Sequence, residues 1–129
     1  GYPERRLPMP SNTEPLNPVQ VEEHIRELVN RIAKGIQVCS KRYAEFLDAD
    51  RAFDREYAQA YLAAEGSIKD REMKARAETM PAREERDIAD AAYKHADRLS
   101  KALDSELRAF QSLGASVRQM YANAGRGES

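Results

Sequence analysis

The chain has 129 residues, with 21 Lys or Arg against 22 Asp or Glu, a net charge of -1, 7% aromatic residues and no Trp. That balance excludes a uniformly basic surface and a thick aromatic core, and a single domain built on a narrow helical seam fits it best. No apolar run approaches a membrane span, no secretory signal is read, and the lone Cys39 excludes an internal disulfide and fits a reducing cytoplasm.

Residues 1–16 carry Pro3, Pro8, Pro10 and Pro15 among polar neighbours and are expected to form a flexible, disordered tail. Gly1 opens the chain, so Met9 is expected to lie nearer a natural start. Residues 17–125 are expected to form one helical-hairpin domain, with a flexible end at 126–129. Its first rod runs from Asn17 to Gly66. Asn17 serves as N-cap, Pro18 takes the first helical position, Gln20 completes a capping box, and Leu16 and Val21 are spaced as a hydrophobic staple. Apolar residues then recur at helical spacing from Val21 through Ile32, Ile36, Cys39 and Phe46 to Phe53 and Tyr57, and Gly66 supplies the left-handed stop. Such a rod is about 70 Å long and needs a second long helix to cover its stripe.

Ser67 and Asp70 predict a capped short helix over Ile68 to Glu78, read as a connector at the tip and broken by Thr79-Met80-Pro81. From Pro81 to about Ala124 the helical period returns through Ile88, Ala92, Leu99, Leu103, Leu107, Phe110, Leu113 and Val117, and Asn123 and Gly125 end it. The fold class is therefore all-α: a long antiparallel, coiled-coil-like hairpin with a short connecting helix at its tip. Folding about that tip places Phe53 near Ala92 to Asp97, Ile32 near Gly114, and Gly35 nearly opposite Gly114. Ile32, Ile36, Phe46, Phe53, Tyr57, Leu99, Leu103, Phe110 and Val117 are the residues expected in the core or an oligomer interface. Their stripe is wider than a strict seam, which predicts self-association into a homo-oligomer.

Residues 28–44 contain Arg31, Lys34, Lys41 and Arg42 and no acid, and residues 107–127 contain Arg108, Arg118 and Arg126 and no acid. The hairpin is expected to bring both stretches to one basic end, where Arg31, Lys34, Lys41, Arg42, Arg108 and Arg118 would meet nucleic-acid phosphates. Lys69, Arg71, Lys74 and Arg76 make a second candidate patch at the tip. A merely solvated charged face is the other reading of both. Cys39 reads as a small buried hydrophobe, and His95 as a polar layer that fixes register. His24 and His95 have no partner at ligand spacing, and neither a phosphate loop nor a nucleophile motif occurs, so no metal, cofactor or enzymatic activity is expected.

From about Tyr43 to Gly125 the chain resembles the UvsY family of phage recombination mediators. The likeness rests on a long helix closing in Tyr61-Leu62-Ala63-Ala64-Glu65-Gly66, a charged connector with Glu72 and Lys74, and a last helix running from Ala102-Leu103-Asp104 through Ser112, Gly114, Val117 and Met120 to Ala124-Gly125. It implies a homo-oligomer in the host cytoplasm that binds single-stranded DNA and helps load a RecA-type recombinase onto strands coated by single-strand-binding protein. The chain departs from the family at Ala58, Gln59 and Ala60, where the family has basic residues. The alternative is a non-enzymatic structural or adaptor coiled coil that binds only protein.

Overall fold

A computed structural model describes residues 17–127, in three helices: α1 (Pro18–Ala63), α2 (Ile68–Glu78) and α3 (Met80–Gly127). The expected tail over residues 1–16 lies outside the described residues, and α3 runs past its expected stop at Asn123 and Gly125. Local chemistry explains both helix starts. Asn17 Oδ1 accepts from the Gln20 amide at 2.9 Å while Gln20 Oε1 accepts from the Asn17 amide at 3.3 Å. Ser67 and Asp70 repeat the reciprocal pair at 3.1 and 3.3 Å. Each box satisfies amides that the first helical turn leaves without partners.

The hairpin turns at Ala64 to Ser67, where α1 stops, Ala64 is extended and Gly66 takes φ 113. From there α2 runs back along α1, so it forms the first three turns of the return arm, with Ala75 and Thr79 buried. Thr79 joins the two pieces of that arm. Its amide donates to the Ala75 carbonyl at 3.1 Å and its hydroxyl to the same oxygen at 2.6 Å, while its own carbonyl accepts from Arg83 at 2.9 Å. Pro81, which has no amide to donate, sits harmlessly in the first turn of α3.

Because the turn precedes α2, the register differs from a fold about the middle of α2. Gly114 faces Val21 and Ile25, not Ile32, and Phe53 meets Arg86, not residues 92–97. Gly35 and Gly114 are therefore not opposite one another. The contacts follow two strict heptad rows. On α1 these are Val21, Ile25, Leu28, Ile32, Gly35, Cys39, Arg42, Phe46, Ala49 and Phe53, each buried or half-buried. On α3 they are Ala82, Arg86, Ala89, Tyr93, Ala96, Ser100, Leu103, Leu107, Phe110, Gly114 and Val117, again with none exposed. Alternating steps of three and four residues over this length define a left-handed coiled-coil seam. Near the turn, large α1 side chains oppose mostly small α3 ones, which allows the rods to approach closely.

Several expected core residues fall outside this seam. Ile36, Ile88 and Leu99 are 58%, 62% and 51% exposed, and His95 is exposed, so it forms no polar layer. They lie beside the heptad rows, where a two-helix bundle has nothing to cover them. The seam is imperfectly filled at Gly35, where an added Cβ would meet nothing within 4 Å. Gly35→Ala is expected to raise stability by up to about 1 kcal/mol, because it removes the backbone entropy of a mid-helix glycine without a clash. A thermal or urea melt that moves downward would refute this.

Candidate nucleic-acid interface

The register separates the two acid-free stretches. Arg31 and Lys34 border a recess with Ala96, Leu99, Ser100 and Leu103, so they lie beside the middle of α3. Arg108 is on the other arm near His24, whose Nε2 lies 3.3 Å from Glu106 and whose ring centroid is 4.0 Å from that of Phe110. The acid-free end of α3 is thus level with the start of α1, which carries Glu22, Glu23 and Glu27. The expected shared basic end does not form, because the early turn slides α3 along α1 and sets acids opposite each cationic run.

Individual cations are also committed elsewhere. Arg42 sits half-buried in the seam and pairs with Glu45 at 3.0 Å, and Arg108 pairs with Asp104 at 2.9 Å. Arg31, Lys34, Lys41 and Arg118 are exposed and make no ion pair with a described residue, but they are spread along the rod. On one flank of α3, Asp90–Lys94, Asp97–Lys101 and Asp104–Arg108 form a ladder of pairs, each at 2.9 Å and each repeating after seven residues. The acid precedes the base by four residues, the order that suits the helix dipole. Asp97, accepting a hydrogen bond from Lys101 and attracting its charge, holds that ammonium above the ordinary lysine range.

The second sequence patch gains more from folding. Lys74 Nζ donates to the Glu65 carbonyl at 2.9 Å and ties α2 to the turn, and Arg71 is half-buried, its Nε enclosed without a hydrogen-bond partner among the described residues. Lys69 and Arg76 are exposed. Arg76 also reaches the shoulder of the hairpin, where it lines a recess of about 280 Å³ with Phe53, Asp54, Tyr57, Thr79, Arg83 and Arg86. Here α1 supplies two aromatic rings, with centroids 6.2 Å apart, and the return arm supplies three guanidinium groups. Arg86 is engaged within the protein. Its guanidinium carbon lies 4.5 Å above the Phe53 ring centroid, and its nitrogens lie 3.7 Å from Asp50 and 3.6 Å from Asp87. A cation over an aromatic face is attracted by the ring quadrupole, and the two nearby carboxylates add electrostatic attraction without a direct hydrogen bond. Arg76 and Arg83 are exposed, and neither has an ion pair with a described residue.

Sequence reasoning missed Arg83 and Arg86, because Arg83-Glu84-Glu85-Arg86-Asp87 looks like a solvated charge run. The available signal was the small-residue heptad Ala82, Ala89, Ala96, with Arg86 occupying one of its inward positions. Cys39 is half-buried in the seam. Among the described residues, no group of three or more His, Cys, Asp or Glu side chains is placed to hold a metal ion, and no helix is long and apolar enough to cross a membrane.

These features define a class: an antiparallel coiled-coil hairpin with an arginine-rich, aromatic-floored recess where its return arm bends. No protein-family model, curated protein or solved structure matches the chain.

Proposed function

We propose that this protein is a non-enzymatic accessory of homologous recombination that binds single-stranded DNA and acts as a homo-oligomer, with the shoulder recess as its principal contact. One observation carries the reading. Arg76 and Arg83, exposed and without an ion pair to a described carboxylate, share a recess with Asp54, with Tyr57, and with Phe53, one face of which Arg86 covers. Single strands are held by this combination of cations along the backbone and aromatic faces for the bases. The recess also bears on the departure at Ala58, Gln59 and Ala60. Cations absent from α1 just before the turn are supplied from across the hairpin by α2 and α3. The likeness to phage recombination mediators extends the proposal to a RecA-type recombinase and a single-strand-binding protein as partners.

The test is titration of a fluorescent oligothymidine over a range of salt concentrations. Two phosphate contacts, at Arg76 and Arg83, give a log–log slope of about -1.4, and Arg76→Ala with Arg83→Ala is expected to bring it close to zero. The pair Arg31→Ala and Lys34→Ala serves as the comparison and is expected to leave the slope nearly unchanged. Absence of binding at low salt overturns the proposal, and equal loss from both pairs moves the contact onto the rod. The second reading, a structural or adaptor coiled coil, is favoured by the paired charges along α3, and an oligomer that ignores DNA would support it.

A further inference from the structure

Between residues 29 and 47, α1 carries charge only on the seam and on the side away from the α3 ion-pair ladder. Arg31, Lys34, Lys41, Arg42 and Glu45 all fall there. The remaining sector is uncharged. It presents Val29, Ala33, Ile36, Ser40, Tyr43 and Leu47, spaced by four and three residues in strict alternation. This is a second heptad row on the same helix, turned roughly 100° from the first by the 3.6-residue period. Val29, Ile36 and Tyr43 are 49%, 58% and 46% exposed, although Tyr43 leans its ring to within 5.0 Å of Tyr93. The row is about 27 Å long. One border is already marked: Ile36 lines a recess with Lys101 and Asp104, members of the ladder whose charges are internally paired.

We infer that this row is the contact between two copies of the chain, packed with their α1 helices antiparallel about a twofold axis that crosses the row between Ile36 and Ser40. The order of side-chain sizes selects both occupant and direction. About that axis Tyr43 of each copy meets Ala33 of the other, Ile36 meets Ser40, and Val29 meets Leu47. In the two inner layers a large side chain opposes a small one, Tyr43 on Ala33 and Ile36 on Ser40, and the outer layer pairs two aliphatics, so the patch is self-complementary as an isologous interface requires. A parallel pair would set Tyr43 on Tyr43 and Ser40 on Ser40, crowding one layer and leaving a void in the next. The neutral row has the charged ladder on one border and Asn30 and Gln37 on the other, matching the charge-depleted centre and polar rim of a protein interface. The inference rests on the oligomeric part of the proposed function and gives it an interface, and it does not depend on DNA binding at the shoulder.

Sedimentation equilibrium on the full chain tests it. The wild type is expected to be dimeric at micromolar concentration, and Ile36→Glu is expected to weaken the dimer at least ~100-fold by burying an unpaired charge at the axis. Leu99→Glu, an exposed apolar position on the opposite flank, should leave the constant unchanged. Direction is read by oxidative cross-linking in a Cys39→Ser background. Val29→Cys with Leu47→Cys should give a cross-linked dimer, and Val29→Cys alone should give none. A monomeric wild type, a dimer indifferent to Ile36→Glu, or cross-linking by Val29→Cys alone each overturns the inference. Circular dichroism verifies that every variant stays helical. Binding of a short oligothymidine to the Ile36→Glu monomer reports separately on the shoulder recess, so the two ideas fail independently.

Discussion

Leu28→Ala is expected to destabilise the hairpin by about 2–5 kcal/mol, seen as a lower urea midpoint at unchanged slope. Leu28 is fully buried, and with Val21 it is one of the two largest side chains wholly removed from solvent. It belongs to the aliphatic half of the seam, level with the Leu103 to Phe110 stretch of α3. Truncation there loses the transfer energy of the removed carbons and leaves a gap that two rigid helical ridges cannot collapse to fill. The loss is large relative to a total stability of about 5–15 kcal/mol for a typical domain. Leu62→Ala is the control, because Leu62 is 81% exposed, and its expected change is within about 0.5 kcal/mol. Equal effects at the two positions would mean that the seam near Leu28 is not cohesive.

Gly66→Val is expected to cost about 2–4 kcal/mol, combining backbone strain with loss of the α2 cap. At φ 113 a β-branched residue is outside its allowed region, and even a Cβ would stand 3.0 Å from Asp70 Oδ2. Asp70 is the residue whose carboxylate closes the box with Ser67. Relief of the clash therefore opens the first turn of α2. Ser67→Ala removes the cap alone and is expected to cost about 1 kcal/mol. If the two substitutions prove equal, the turn at Gly66 tolerates a side chain and the strain argument fails.

The helices were legible because their signals are local. Asn17 with Gln20, Ser67 with Asp70, and Thr79-Met80-Pro81 each act within a few residues, and the starts of α1 and α2 and the end of α2 follow from them, whereas α1 ends at Ala63, before the Gly66 expected to stop it. Register was not legible in the same way. It depends on whether the chain reverses before α2 or within it, a choice made by burial of Ala75 and Thr79 against α1 rather than by any capping pattern. The inner face of α3 was also obscured by its composition. Ile88 and Leu99 drew the apolar reading toward exposed positions, while Ala82, Ala89, Ala96 and Ser100 carry the actual contact. With the register misplaced, the charge map was misplaced too, and Arg83 and Arg86 went unnoticed in a run that alternates sign.

The shoulder lies well away from the middle of the long first rod. For the proposed pair of copies, whose axis crosses α1 midway between Ile36 and Ser40, the recesses at Phe53 and Tyr57 would fall toward opposite extremities, roughly 50 Å from one to the other. Under the proposed dimer and the proposed shoulder contact, such a caliper would set a minimum span: a strand long enough to bridge it would engage both jaws and gain avidity, while a shorter fragment would hold to one.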